Sequence, residues 1–272
     1  LKSDQSYLLG HSEHEIERLI TQATILRPIT RRLLLAAGLE PGMRVLDVGS
    51  GAGDVSMLAV DLVGPEGSVV GLDESSIAVE TATARAAAAG LNNVAFIACK
   101  VETFEDPRLF DVIVGRYVLL FQADPAGFIS SLKSKLRMGG RIAFHEIDDT
   151  TNFTARPEIE LFSQINDDVM RALRTALPSP DVASRLCSVF KAAGLPAPEL
   201  TCERLCSGGS ASQIARWLAL TRATIIERTR PSDAAETEEL IQELDRALSA
   251  CASQVASPDQ WCAWSRVDLE KS

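Results

Sequence analysis

Residues 45–53 read Val45-Leu46-Asp47-Val48-Gly49-Ser50-Gly51-Ala52-Gly53, an apolar run that passes into a turn with glycine at every second position. A short apolar run bounded by a turn signal predicts a buried strand. The glycines allow positive φ angles and let the backbone approach a ligand with no Cβ in the way. Helical spacing resumes at Val55–Leu62. The turn therefore delivers the chain to a helix N-terminus, where backbone N–H groups point outward. A dinucleotide fingerprint of the form G-x-G-x-x-G requires glycine at position 54. This chain has Asp54 there, an acidic side chain unsuited to lie beside a pyrophosphate. No G-x-x-x-x-G-K-[ST] stretch is present, which argues against a nucleoside triphosphate. Asp73 falls at the end of the next apolar run, where a carboxylate can accept hydrogen bonds from both hydroxyls of a ribose. The glycine turn and the carboxylate on successive strands together predict a nucleoside-containing cofactor.

Outward from this turn, strands alternate with helices. Strands are expected at Arg44–Val48, Ser68–Leu72, Val94–Ala98, Asp111–Val114 and Arg141–Glu146, with helices at Val55–Leu62, Ser76–Gly90 and Pro125–Arg137. Near-continuous apolar strands alternating with helices predict a parallel sheet covered on both faces. Turn signals stand at Gly64-Pro65-Glu66-Gly67 and Gly139-Gly140. Upstream, Ile16, Leu19, Ile20, Ala23 and Leu26, then Ile29, Leu33 and Leu34, recur at helical spacing. Arg27-Pro28 predicts a junction between two helices, and Gly38 an end. Beyond Ile147 the expected elements are a helix carrying Ile159–Leu173, a helix Val182–Ala193, a sixth strand Glu199–Cys206, helices Ala211–Arg228 and Ala234–Cys251, and a last strand Gln260–Val267. The reading is an α/β fold with a doubly wound, mostly parallel seven-stranded sheet. Residues 1–40 form N-terminal helices, 41–148 the cofactor-binding core, and 149–272 a substrate-binding region with a helical cap inserted before the last strand.

Composition narrows the function. Apolar residues make up 46% of the chain and charged residues 24%, as in ordinary soluble domains. No apolar run is long enough to span a bilayer, and Leu1–Glu17 lacks the basic and apolar stretches of a signal peptide. A cytoplasmic protein without membrane contact is therefore expected. A net charge of −10 argues against a nucleic-acid partner, which requires basic surface. The six cysteines have no CxxC pairing and read as thiols, mostly in the core. His11 and His14 have no further ligand nearby and read as a solvated helix face.

Val45–Gly53, Asp73, the Asp111–Val114 strand and the turn Arg137-Met138-Gly139-Gly140 resemble the motifs of class I S-adenosylmethionine-dependent methyltransferases, over roughly residues 28–148. Tyr7-Leu8-Leu9-Gly10, Gly115-Arg116-Tyr117-Val118-Leu119 and Trp264-Ser265-Arg266 resemble a bacterial subgroup that acts on small molecules. This resemblance implies a Rossmann-like methyltransferase fold, with S-adenosylmethionine as cofactor and S-adenosylhomocysteine as product. Gly49, Ser50, Gly51 and Gly53 would face the methionine part and Asp47 would orient its amino group. Asp73 would bind ribose, Glu74 would border the adenine, and Arg116 would present its backbone near the methionine end. One position departs from the pattern: Lys100 stands where such enzymes carry an aspartate that accepts from the adenine amino group, which a lysine cannot do. Val101, through its amide, and Glu102, as a substitute acceptor, are the expected adenine contacts.

Methyl transfer from a sulfonium needs the acceptor held in line and water excluded, so positioning carries most of the chemistry. His145, at the end of the fifth strand, is the candidate base. Glu146, Asp148 and Asp149 follow; Gly115-Arg116-Tyr117 holds no carboxylate to complete a metal set. No metal is therefore expected, and the acidic turn reads as solvated or substrate-facing. Tyr7, Tyr117, Phe121, Phe153, Trp217 and Trp264 are candidates for an apolar wall, and Glu146 for a polar substrate contact. The expected substrate is a small, fairly apolar molecule methylated on oxygen, nitrogen or carbon. The alternatives are a methyltransferase-fold protein with non-methylating catalysis or a binding role, and an NAD-linked oxidoreductase, which Asp54 disfavours. The Ala-rich cap is compatible with a homodimer.

Overall fold

The computed structural model describes residues 13–208, 211–227 and 234–267. From the N-terminal side the elements are α1 (Glu13–Ala36), β1 (Arg44–Val48), α2 (Asp54–Val63), β2 (Ser68–Asp73), α3 (Ser76–Ala88), β3 (Val94–Ala98), β4 (Phe110–Arg116), α4 (Pro125–Leu132) and β5 (Leu136–Ile147). There follow β6 (Thr154–Arg156), α5 (Glu160–Ala176), α6 (Leu186–Ala192), β7 (Glu199–Glu203), β8 (Cys206–Gly208), α7 (Gln213–Glu227), α8 (Ala234–Ala250), β9 (Gln254–Ala256) and β10 (Gln260–Arg266). They divide into two compact units. The described residues of one are 26–147, 181–202 and 261–267; those of the other are 13–25, 148–180, 203–208, 211–227 and 234–260.

The first unit is built on a seven-stranded sheet in the order β3-β2-β1-β4-β5-β10-β7. The pairs β2/β3, β1/β2, β1/β4 and β4/β5 are parallel. Val45, Leu46 and Val48 on β1, and Val112, Ile113 and Val114 on β4, are fully buried, as central strands covered on both faces require. From β1 the chain winds outward through β2 and β3, then returns to β4 on the other side of β1. The loops leaving β1 and β4 therefore diverge, and at such a switch point a doubly wound sheet opens a crevice for ligands. The doubly wound seven-stranded sheet expected from the sequence is present, and α7 and α8 lie in the chain between β7 and β10.

The second unit carries a small antiparallel sheet, β6-β9-β8, whose pairings run Thr154↔Ala256 and Cys206↔Ala256. The helices α5 and α7 accompany it, with Phe153 edge-on to Trp217 at a ring separation of 5.2 Å.

Several expectations need correction. The N-terminal helices are one helix, α1, with Pro28 inside it. An interior proline costs a helix about 3 kcal/mol. Leu26, Ile29, Leu33 and Leu34 around it are at most 2% exposed. Each such burial contributes roughly 1.5–3 kcal/mol, so packing outweighs the local penalty. Gly139-Gly140 is not a turn before the fifth strand but an irregularity within β5: the register to β4 jumps from Phe110↔Leu136 to Val112↔Arg141. Gly139 N and Gly140 O bond instead to Val267. The expected sixth strand breaks after Glu203, because Arg204 turns to donate to Ser257 O and Asn152 O, both at 2.7 Å; β7 and β8 then join different sheets. The cysteines are not mostly core: Cys187, Cys202, Cys206 and Cys251 are exposed, Cys202 and Cys206 because β7 and β8 are edge strands, and Cys262 alone is buried. His11, like Tyr7, lies outside the described residues, and nothing is described of the His14 side chain. Among the described residues no helix is long and apolar enough to cross a membrane.

Candidate functional site

Strand register sets the frame. Asp47 on β1 lies between Gly71 on β2 and Val114 on β4, Asp73 ends β2, and Arg116 at the end of β4 pairs with His145 on β5. The carboxyl ends of these strands thus bring Asp47, the glycine turn, Asp73, Glu74, Arg116, Tyr117, His145 and Glu146 to one edge of one sheet. Lys100, Val101 and Glu102 follow β3 at the same edge, as a short 3-10 turn with Val101 buried and the other two not.

The glycine turn is held from both sides. Ser50 N donates to Leu72 O at 2.8 Å, and Gly53 N to Ser50 O at 2.9 Å. Gly53 stands at φ +86°, and a Cβ there would come within 2.8 Å of Phe96 Cζ and 3.1 Å of Ala82 Cβ. Only glycine lets α2 pack this closely. Gly51 differs: φ is +51°, but a Cβ would meet nothing within 4 Å. Its conformation requires glycine, yet the space beside it is open, as a ligand cradle requires. No side chain caps α2. Asp54, in its first turn, is paired with Arg85 at 2.7 Å.

Asp73 spans the turn. Its Oδ2 accepts from Gly51 N at 2.8 Å and its Oδ1 from Ser75 N at 2.9 Å. Each carboxylate oxygen retains a further lone pair for a ribose hydroxyl. Asp47 is fully buried, with Oδ2 accepting from Ser56 Oγ at 2.6 Å. Its Oδ1, and the Oγ of buried Ser50, have no hydrogen-bond partner among the described residues. Burial pushes the Asp47 carboxyl up to about 7, against the pull of the Ser56 hydrogen bond and of Arg116. Two unsatisfied buried oxygens beside an open glycine fit a ligand that brings a cationic or N–H donor group.

His145 is fully buried, with Nδ1 at 3.0 Å from Thr30 Oγ1 and its ring 5.7 Å edge-on from Tyr117. Thr30 Oγ1 also donates to Leu26 O. With the hydroxyl proton so directed, the Thr30 oxygen is placed to accept from Nδ1. Tyr117 takes the left-handed φ of 59°. Such a backbone is uncommon outside glycine and is concentrated at functional sites. The Tyr117 N donates to His145 O at 2.8 Å. Glu146, expected as a substrate contact, uses Oε1 to accept from Val118 N at 3.0 Å and Leu119 N at 2.9 Å, fixing the turn that carries Tyr117 and leads to Phe121. Ser56 and Thr30 carried no signal in the sequence, since each is one polar residue in a helix and Thr30 lies 115 residues from its partner His145.

The acidic turn after β5 is not solvated: Glu146, Asp148 and Asp149 are at most 5% exposed. Among the described residues no group of three or more His, Cys, Asp or Glu side chains is placed to hold a metal. Trp217 lies in the second unit, buried against Phe153; Trp264, on β10, is 9% exposed. Tyr7 is outside the described residues.

Residues 39–193 match the sequence model of a family described as "Methyltransferase domain". The chain is 36% identical over 118 residues to an aklanonic acid methyltransferase of a Streptomyces species, covering 43% of this chain and 54% of that one. It is 34% identical over 126 residues to a nocamycin O-methyltransferase of Saccharothrix syringae, covering 45% and 44%. These matches span about half the length of those curated relatives. The fold resembles that of a Bacillus halodurans protein assigned as a methyltransferase, with a TM-score of 0.56 at 17% identity over 87% of this chain and 97% of that one.

Proposed function

Because the chain belongs to the methyltransferase domain family, we propose that it transfers the methyl group of S-adenosylmethionine to a small, fairly apolar acceptor and releases S-adenosylhomocysteine. The observation that carries this reading is the open cradle at Gly51, flanked by the unpartnered oxygens of Asp47 and Ser50 and tied to Asp73. The residues present fit this cofactor. Asp47 and Ser50 offer acceptors to the amino group of the methionine part, the loop backbone carries its carboxylate, and Asp73 accepts from the ribose. When bound, the cofactor supplies an electrophilic methyl group; the chain supplies position and a site closed to water. Lys100 withholds the usual acceptor from the adenine, leaving Val101 N and Glu102 to serve it, with Glu74 at its border. His145 serves as base where the acceptor is a hydroxyl or protonated amine, oriented by Thr30. Tyr117 and Phe121 contribute to the apolar substrate surface.

The relatives named above are methyltransferases named for aklanonic acid and nocamycin, which favours a small-molecule acceptor. A protein with this charge, working in the cytoplasm on small molecules without nucleic acid and able to pair with a second copy, completes the proposal. The test is incubation with methyl-deuterated S-adenosylmethionine and a panel of hydroxylated aromatic acceptors that includes aklanonic acid. The expected result is a labelled methyl group in one product and an equal amount of S-adenosylhomocysteine. An acceptor converted without gaining the label contradicts methyl transfer and favours a non-methylating reaction.

A further inference from the structure

Three groups of the first unit meet at Thr30 Oγ1. The hydroxyl donates to Leu26 O, one turn back in α1, at 3.2 Å. A hydroxyl has one proton and two lone pairs, so both lone pairs are left for the two nitrogens that reach it. These are His145 Nδ1 from β5 at 3.0 Å and Arg116 Nη1 from β4 at 3.5 Å. Strand register makes the meeting possible. Arg116 and His145 are paired across β4 and β5, so their side chains leave the sheet on the same face.

The consequence is electrostatic. Arg116 is charged at every pH the chain meets. A proton added to the His145 imidazole would set a second positive charge against the same oxygen, and Thr30 and His145 are both fully buried. Burial and a neighbouring like charge each disfavour the charged imidazole. A plain ion pair of Arg116 with Asp47 is the simpler reading of the arginine. Asp47, however, takes its hydrogen bond from Ser56 on Oδ2 and has no partner on Oδ1 among the described residues, and Arg116 acts on it as a charge.

The other ionisable groups around the imidazole do not reverse the effect. Burial pushes the Asp47 carboxyl on β1 up to about 7, so it is neutral at the low pH where an imidazole gains its proton. Glu146 follows His145 on β5 and leaves the sheet on the opposite face, where Oε1 accepts from Val118 N and Leu119 N. Tyr117 meets the ring edge-on and is uncharged below about pH 10. The backbone bonds of Val267 to Gly139 and Gly140, and of Asp259 to Asp148, set Cys262 of β10 opposite His145; a buried thiol stays neutral. On α1, Arg27 and Arg31 beside Thr30 are exposed.

We propose that Arg116 is a positioning residue whose guanidinium, sharing the Thr30 hydroxyl with His145, keeps the imidazole uncharged and so able to take a proton from the methyl acceptor. This rests on the proposed reading of His145 as base. It gives the Arg116 side chain a task separate from the backbone contact with the cofactor, since an imidazole that already carries its second proton cannot act as base.

The experiment titrates the full chain, with its histidine rings labelled with nitrogen-15, from about pH 5 to about pH 9 by NMR, which reads the charge of each imidazole. The chain has three histidines, and the signal lost in His145→Gln identifies the one of interest. In the wild type His145 is expected to stay uncharged below the ordinary histidine value of about 6.5. Arg116→Gln is expected to raise its midpoint by about 1 pH unit or more, and Arg116→Lys, which keeps the charge, to leave it near the wild-type value. A wild-type midpoint at or above about 6.5 overturns the inference without recourse to any variant. So does an unmoved midpoint in Arg116→Gln, the outcome of a purely structural role, or a midpoint in Arg116→Lys that follows Arg116→Gln. Each sample is also titrated with S-adenosylhomocysteine. A wild type that binds it while His145 gains its proton at the ordinary pH contradicts this inference alone; a wild type that does not bind it contradicts the proposed function, whatever the imidazole does.

Discussion

Ser56 Oγ donates a 2.6 Å hydrogen bond to Asp47 Oδ2 at the floor of the glycine turn, leaving Oδ1 of the same buried carboxylate unpartnered among the described residues. The carboxyl titrates near 7 because burial disfavours its charge, and a bound cationic group must lower that value. Cofactor binding near neutral pH therefore releases a proton, and affinity rises as pH increases from about 6 to about 8. Calorimetry in buffers of different ionisation enthalpy reads the release directly. Ser56→Ala removes a contact that favours the charged form, so the pH at which affinity rises shifts upward.

Asp73 joins the cofactor loop to the start of α3 through Gly51 N and Ser75 N. Asp73→Ala leaves both N–H groups without their acceptor and removes the ribose partner as well. Hydrogen bonds to charged groups contribute about 1.5–3 kcal/mol each, so cofactor affinity should fall by roughly 100-fold or more. Asp73→Asn, with one acceptor oxygen, should fall between the two in the same titration.

Gly51 and Gly53 separate binding from folding. Gly53→Ala forces a Cβ to 2.8 Å from Phe96 Cζ at a positive φ. Strain and overpacking together should lower its stability in urea unfolding by about 2 kcal/mol. Gly51→Ala meets no atom within 4 Å. It should cost only the left-handed penalty of about 1 kcal/mol while abolishing cofactor binding.

The proposed base predicts a split between binding and turnover. His145→Ala should reduce turnover on the true acceptor and leave cofactor affinity nearly unchanged, since Asp47, Asp73 and the glycine turn are untouched. Thr30→Val removes the oxygen facing Nδ1, and should lower turnover less and displace the pH profile. Full turnover in His145→Ala would remove His145 from the mechanism.

Asp149 provides a stability test. Its folded-state value, about 7, lies above the unfolded 3.8, so between these pH values the unfolded chain binds fewer protons than the folded one. Stability contributed by the protonated form is complete below about 4 and is lost as pH rises through about 7. Asp149→Asn, which cannot ionise, should gain up to about 4 kcal/mol over the wild type at pH 8 and little at pH 4. Urea unfolding across that range checks it, with Arg174 and Asp148 as the charged groups acting on the carboxyl.

The sheet was legible because its strands are buried on both faces: Val45–Val48 and Asp111–Val114 are almost wholly apolar, and no tertiary information is needed to read them as strands. The glycine turn and Asp73 were legible for a similar reason, their chemistry being local to a few residues. Pro28 misled because a local rule lost to the packing of Leu26, Ile29, Leu33 and Leu34. The sheet β6-β9-β8 was invisible because strands of three residues carry no period, and their pairing joins positions about 50 to 100 residues apart. The unpartnered carboxyl of Asp149 was beyond reach too: in sequence it is one of three acidic residues in a row of four, and only burial distinguishes it from a solvated turn.

Recognition of a sulfur nucleoside by the glycine turn is tested most directly by calorimetric titration of the purified chain with S-adenosylmethionine and S-adenosylhomocysteine, with NAD as control. Saturable binding of both sulfur nucleosides is expected, with a dissociation constant near micromolar, about −8 kcal/mol, and no heat from NAD. Binding of NAD, or no binding of either sulfur nucleoside, would contradict it.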